Sequence, residues 1–429
     1  MNNKQTKVMR VRILHTSDWH LGKSLENRNR LQEQRAFIDE LCDLVEQKEV
    51  NLVLIAGDVF DTYTPSAAAE ELFYEAVDRL NGKGQRAVVV IAGNHDSPER
   101  LCAARALSYK NGIILVGYPA SDPGTYGITN PNIRIADSGA GWLELSIAGC
   151  KHHAVILTLP YPSESRLAEV LSRESSEELL QQAYSDRIKS IFAGLSEKFR
   201  DDTVNLVVSH LFIRGGKESE SERPIQMGGA LTVAPDALPG NAHYIALGHL
   251  HRPQKVNHAP SPTRYSGSPL AYSFSETDYR KAVYVIEAAA GREAEIETVY
   301  LNAGKPLKRW VAQKGVEEAL KWCEEGKDAN AWIDLEIRTD NVLTTEEQKK
   351  LRELHPGILN IRPKIHTEQE QTLDYENRET KRIDELFKDY YQFRMGVEIS
   401  EELMDTFLEV LNNSDKDDEE DGIFKDIVG

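Results

Sequence analysis

Histidine, aspartate and asparagine gather at five places in this 429-residue chain, each directly behind a short apolar run. RILHTSDWH carries Asp18 and His20, and LVLIAGDVFD carries Asp58 and Asp61. VVVIAGNHD carries Asn94, His95 and Asp96, LVVSH ends on His210, and YIALGHLH carries His249 and His251. Five of the twelve histidines fall in these clusters. Carboxylates, an amide and imidazoles without a thiolate suit borderline divalent ions such as Mn²⁺, Zn²⁺ or Fe²⁺, not Ca²⁺ or an iron–sulfur cluster. They are too many for one tetrahedral ion. A bridging carboxylate with three further ligands on each side describes a two-metal site, its ions ~3.5–4 Å apart. Each fragment alone has a plainer reading. Asp-x-His suits a surface turn, Gly-Asp behind a strand often caps the next helix, GNHD alone fits a turn, and GHLH alone fits a single ion. Five such clusters in one chain, each behind a strand, favour the metal site.

The elements that position them follow from the apolar pattern. VRILH (11–15), LVLIA (52–56) and RAVVVIA (86–92) are unbroken apolar runs, as in strands buried on both faces. Further strands are predicted at 113–116, 142–148, 153–159, 203–210, 243–249, 263–268 and 281–288. Leu31, Ile38, Leu41 and Val45 recur at helical spacing. A second helix follows Pro65, and a third opens after Ser97, with Pro98 at its first position. The alternation predicts an α/β architecture with sheet packed on sheet. In open α/β sheets, sites form at the carboxyl ends of the strands. Asp18/His20 and His249/His251 are spaced i, i+2, which in extended chain puts both side chains on one face. The glycine before Asp58, Asn94 and His249 permits a sharp turn and close backbone approach.

The character changes after residue 272. The expected organisation is a catalytic domain over 9–272, an α+β capping domain over 273–368, a helical segment over 369–412 and an acidic tail over 413–429. Within it, 306–366 reads as strand, helix, strand, helix, strand. Residues 377–411 read as two amphipathic helices broken near Gly396. Ile383, Phe387, Tyr390 and Arg394 share one face with Leu386 at its edge, and Leu403, Phe407 and Leu411 share the other. Two short helices bury such faces poorly against each other, so they either pack on the capping domain or dock a partner. The tail has seven acidic residues against two lysines, and it and the lead before Val11 are expected to be disordered.

Composition excludes some classes. The chain is 40% hydrophobic and 28% charged, with a net charge of −18. No run approaches the ~18 apolar residues of a membrane span, and the start lacks the apolar region of a signal peptide. Cys42, Cys102, Cys150 and Cys323 show no CxxC spacing, which predicts reduced thiols in a cytosol. The charge argues against a freestanding, tight DNA binder, but not against a nuclease that borrows basic surface from a partner. GKS at 22–24 is not a P-loop, because Ser17 stands where the motif needs glycine. Any ATP dependence would therefore come from a partner.

The order D-x-H, GD-x-x-D, GNHD, H, GH-x-H resembles the signature of the calcineurin-like metallophosphoesterases. HTSDWHLGK (15–23), AGDVFD (56–61), AGNHDS (92–97), LPYP (159–162), SERPIQMGG (221–229) and GHLHRPQ (248–254) look like the SbcD family of bacterial nuclease subunits. The resemblance is specific over about 9–272 and looser beyond. It implies a two-sheet metallophosphoesterase sandwich flanked by helices, then the small capping domain and the helical pair. Asp18, His20, Asp58 and His251 would hold one ion; Asp58, Asn94, His210 and His249 would hold the other, with Mn²⁺ the expected metal. His95 would be the general acid and Asp96 would orient it. Relatives outside the bacterial subfamily carry His at the position of Asp61. The implied activity is exonuclease on double-stranded ends and endonuclease on single-stranded or hairpin DNA, in repair, recombination and replication. The implied partner is the coiled-coil SbcC-type ATPase, bound through 377–411, with the chain a homodimer within a heterotetramer. The implied location is the cytoplasm, at the nucleoid when bound to DNA, with no membrane contact. A small-molecule or cyclic-nucleotide phosphodiesterase shares the metal chemistry, but has no need of the extension beyond 272.

Overall fold

The computed structural model describes residues 10–125, 127–167, 177–222, 232–339 and 343–365, with isolated positions between 385 and 407. The chain divides into two units, 1–309 with 330–334, and 310–329 with 335–429.

The first unit is built on two packed sheets. One has six strands in the order 295–300, 282–288, 11–16, 52–56, 87–91, 113–116. The last four of these run parallel, and Ala282–Ala288 closes the row antiparallel to Val11–Thr16. The other has seven strands in the order 254–255, 263–265, 244–248, 204–210, 154–159, 142–147, 133–139. Its central strands are parallel and its margins antiparallel. Leu52–Ala56 and Ala87–Ile91 are buried at every position because both faces are covered. Ile13, Leu54, Val89, Ile156, Leu206 and Ala246 fill the space between the sheets. Phe37, Leu41, Val53, Ile55 and Phe73 pack the other face of the first sheet under helices Leu31–Gln47 and Ala67–Asn81. Helix Glu177–Ser196 covers the second sheet, with Ile188 and Phe192 against Leu157 and Val207. This is the predicted sheet-on-sheet α/β architecture.

Three expectations change. The helix expected after Ser97 is one turn, Pro98–Leu101, although Ser97 caps it as its type predicts. Strands Ile133–Gly139 and Glu295–Tyr300 were not foreseen. Both are largely solvent-facing margins, so they lack the apolar run that marks an inner strand. The domain boundary expected at 272 falls too early. Ala282–Ala288 pairs with Val11–Thr16 along five positions and Glu295–Tyr300 pairs with it in turn, so the first unit extends to about residue 309.

The second unit contains helices Val316–Glu324 and Thr345–Leu354 and strand Ile358–Ile365. Strands Leu307–Ala312 and Trp332–Thr339, of one three-stranded sheet with it, belong to this unit from residues 310 and 335 onward. Thr344 and Glu347 form a capping box at the second helix, which satisfies its first free N–H groups. Of the expected docking residues, Ile383, Leu386, Tyr390, Arg394 and Leu411 lie outside the described residues, as do 1–9 and the tail 413–429. Phe387 and Phe407 are described, and their rings stack on each other at 3.6 Å. Two of the side chains assigned to a partner therefore meet within the chain. Among the described residues, no helix is long and apolar enough to cross a membrane, and all four cysteines are free.

Candidate metal centre

The polar clusters meet at one end of the two sheets, beyond the carboxyl ends of their parallel strands. Asp18 and His20 follow Val11–Thr16, Asp58 follows Leu52–Ala56, and Asn94 follows Ala87–Ile91. His210 ends Val204–His210, and His249 and His251 follow Tyr244–Gly248. The first sheet thus supplies four of the residues and the second three.

The i, i+2 pairs do not sit on extended chain as expected. Asp18, His20, Asp58 and His249 have φ of 53°, 46°, 49° and 106°. This left-handed backbone is strained for residues with a Cβ, at ~1–3 kcal/mol each. Cross-links between the loops hold it. Asp18 N donates to Gly57 O and His20 N to Asp58 O, both at 3.0 Å. His95 N donates to Asp58 Oδ1 at 2.8 Å and His249 N to Asp18 Oδ1 at 2.9 Å. The loops approach so closely that a Cβ on Gly57 would run into the His210 ring, and one on Gly93 into Asp58.

The side chains converge with ring nitrogens facing one another and the Asn94 oxygen. His20 Nε2 and His251 Nε2 are 3.0 Å apart. His210 Nε2 lies 2.9 Å from Asn94 Oδ1, His249 Nδ1 lies 3.0 Å from the same oxygen, and the two nitrogens are 3.3 Å apart. Asp58 Oδ2 stands between the groups, 3.4 Å from His210 Nε2 and 3.7 Å from His20 Nε2. The outer nitrogens are engaged elsewhere: His210 Nδ1 donates to Ala56 O at 2.9 Å, and His251 Nδ1 bonds the Ser221 hydroxyl. An imidazole that donates from its outer nitrogen presents a lone pair inward, as a metal-binding histidine does. Asp18, His20 and His251, and separately Asp18, Asp58 and His210, bring one donor atom each within 4.8 Å. The donor set and this geometry fit two divalent ions.

The electrostatics divide the group. Burial, joined by the Asp58 charge, raises Asp18 to about 8. Burial also works against ionised Asp58, but His210, His95 and His20 outweigh it and hold that carboxyl well below its usual range. Burial lowers His20 to about 4 and His249 to about 3. In His210 burial is overcome by Asp58, which raises it to about 9. Neutral His20 and His249 and ionised Asp58 are in the protonation states that ligands need, whereas His210 and Asp18 hold protons that a bound cation would displace.

One assigned role changes around His95. Asp96 does not touch the His95 ring. Its carboxylate accepts the backbone N–H groups of Gly93, Phe60 and Val59 at 2.8, 2.9 and 3.1 Å. His95 Nδ1 instead donates to the backbone carbonyl of Asp61 at 2.6 Å, which leaves Nε2 free. The Asp61 carboxylate lies 3.6 Å from His20 Nδ1 and 3.0 Å from Lys23 Nζ. It therefore faces the outer nitrogen of a candidate ligand, and with His20 and His95 it forms a third donor group. Sequence reasoning missed other supports. Glu222 accepts the His251 N–H at 2.7 Å. Lys281 donates to the His251 carbonyl at 3.0 Å and pairs with buried Glu276. A buried Lys–Glu pair has no local sequence pattern; the only hint was Ser221–Glu222 at the head of SERPIQMGG.

Comparison with known proteins identifies the family. A model of the calcineurin-like phosphoesterase family matches residues 11–253. A model of the type 5 capsule protein repressor C-terminal domain matches 304–394. The SbcD subunit of the SbcCD nuclease of Bacillus subtilis (strain 168) is 46% identical over 411 residues, covering 95% of this chain and all of that one. Its counterpart in Rhodobacter capsulatus is 34% identical over 66% of this chain and 67% of its own. The counterpart in Staphylococcus epidermidis is 28% identical over 82% of this chain and 85% of its own. On sequence and site alike, the chain belongs to the calcineurin-like phosphoesterase family and, within it, to the SbcD nuclease subunits.

Proposed function

We propose that this chain cleaves DNA phosphodiester bonds with two divalent ions, most readily Mn²⁺. Asp18, His20, Asp58 and His251 would hold one ion and Asp58, Asn94, His210 and His249 the other, with Asp58 common to both sets. The observation that carries the reading is the convergence of four inner imidazole nitrogens and Asn94 Oδ1, at 2.9 to 3.3 Å, around two buried aspartates. Such ions, when bound, neutralise the phosphodiester oxygens and make hydroxide available at neutral pH. The leaving sugar oxygen needs a proton, and His95 is the group to give it. Its Nδ1–H is fixed on the Asp61 carbonyl, so the proton it gives comes from Nε2. The side chain is buried beside His20, ring centroids 4.7 Å apart, which keeps it against the reacting region.

The relatives' name describes one part of a two-part nuclease. We assign this chain the same place, as the cytoplasmic nuclease component beside an SbcC-type ATPase that docks on 377–411, with two copies of each in the assembly. The activity is exonucleolytic on double-stranded ends and endonucleolytic on single strands and hairpins. The test compares blunt duplex, hairpin DNA, a nitrophenyl diester and a cyclic nucleotide, in Mn²⁺ and in Mg²⁺, with and without the ATPase and ATP. Cleavage of ends and hairpins that the ATPase and ATP stimulate is the expected result. A cyclic nucleotide consumed faster than DNA in every condition would favour a small-molecule phosphodiesterase. Phe387→Asp with Phe407→Asp should abolish co-purification of the ATPase; retention at wild-type level would move docking elsewhere.

A further inference from the structure

We propose that Arg166 is a positioning residue for the Asn94–His95 turn, and that catalysis depends on it through His95. This rests on His95 being the general acid. Arg166 lies on the short helix Glu164–Leu167, beyond the LPYP segment that leaves the second sheet. It is 9% exposed. Nη1 donates to the carbonyl of Gly93 at 2.7 Å, and Nη2 donates to the carbonyl of Asp96 at 2.7 Å. These two carbonyls flank Asn94 and His95. Nη2 also donates to the Tyr63 hydroxyl at 3.0 Å, and the guanidinium lies 5.6 Å from the Tyr161 ring centroid. Tyr161 N in turn donates to Ala92 O at 2.9 Å.

The four-residue turn is thus held from two sides. The Asp96 carboxylate gathers N–H groups on one side, and the Arg166 fork takes the carbonyls at both ends on the other. A planar fork spans two acceptors at once; a lysine ammonium is a single point. Both terminal nitrogens of Arg166 are engaged by protein oxygens, which separates it from a substrate-phosphate ligand. Loosening the fork leaves the turn in place but lets the His95 ring wander, and a misplacement of ~1 Å can cost ~10²-fold in rate.

The experiment uses the full chain in Mn²⁺ with two diesters, a thymidine dinucleotide that expels a sugar alkoxide and a nitrophenyl thymidine phosphate that expels an acidic phenol. Arg166→Gln should lower kcat on the dinucleotide about 10- to 100-fold, with KM within about twofold and the nitrophenyl rate nearly unchanged. Arg166→Lys should fall between, and it carries the same comparison if the glutamine variant does not fold. Elemental analysis should still find two ions per chain. In a His95→Gln background, Arg166→Gln should cost nothing more, because residues acting through one group are not additive. Equal losses on both substrates, a raised KM with kcat intact, or additive losses in the double variant would overturn the proposal while His95→Gln still discriminates between the leaving groups. If His95→Gln itself fails to discriminate, the general-acid reading falls and this proposal falls with it.

Discussion

Replacing Asp96 with Asn tests what that carboxylate does. If it oriented His95, the variant would lose activity and keep its stability. The structure predicts the reverse emphasis. One carboxylate oxygen accepts Gly93 N and Val59 N at 2.8 and 3.1 Å, and the other accepts Phe60 N at 2.9 Å. An asparagine supplies one acceptor oxygen, so its NH₂ must face at least one backbone N–H, donor against donor. An orphaned buried donor costs ~1–3 kcal/mol, and the bonds that remain lose their charge assistance. The expected loss is therefore ~2–4 kcal/mol for Asp96→Asn, and more for Asp96→Ala, which orphans all three donors. That is a large share of the ~5–15 kcal/mol that holds a native fold together. Urea unfolding followed by tryptophan fluorescence reads it, because Trp19 is fully buried beside this site. An Asp96→Asn protein that unfolds at the wild-type urea concentration yet loses activity would refute the reasoning and return Asp96 to the His95 ring.

Asp58→Asn should reduce bound metal from two ions to at most one, whereas His20→Ala and His210→Ala should each weaken one site; elemental analysis finding two ions in the Asp58 variant would remove the bridge. Chelation should lower the unfolding temperature, since ions at ~100 times their dissociation constant add ~2.7 kcal/mol to the native state; identical melting with and without chelator would contradict native-state binding. Arg200 donates to both Glu144 oxygens at 2.8 and 3.0 Å, and this and the His153 contact hold the Glu144 pKa below its usual value. A depressed carboxyl stabilises the fold above its unfolded pKa of ~4.3 and loses that contribution as pH falls through the lower folded value. Glu144→Gln should therefore be less stable than wild type at pH 7, by about 1 kcal/mol because Arg200 is solvent-exposed, and the two urea curves should converge below about pH 4; a gap unchanged at low pH would deny the charge its role.

The parts of the site that sequence could reveal are those whose residue types betray them. A histidine or aspartate directly behind a buried strand is conspicuous, and Asp18, His20, Asp58, Asn94, His95, His210, His249 and His251 all stand there. What holds them was not legible. Backbone carbonyls do the orienting of His95 and His210, and every residue has a carbonyl. Arg166 lies 70 residues beyond Asp96, and an isolated arginine gives no sign of the turn it will clamp. The i, i+2 spacing implied the wrong local geometry: the loops are left-handed where extended chain was expected. The role that the resemblance implied for Asp96 is not the contact it makes, because the turn sends its carboxylate to Gly93, Val59 and Phe60. The inner strands were plain because both faces are apolar; Glu295–Tyr300, mostly solvent-facing, offered only a partial alternation.

The division of the ligand candidates between two sheets has a consequence for control. Four donors ride on one sheet and three on the other, so ion affinity and the alignment of the sheets are two readings of a single equilibrium. A slip between the layers would separate His210 Nε2 from Asn94 Oδ1, now 2.9 Å apart, and would weaken any ion that bound there. Thermodynamic reciprocity then fixes the converse: whatever factor a slip takes from metal affinity, bound metal takes from the slipped state. Any load that shears the layers would therefore act on the chemistry as a throttle, with no second ligand site required.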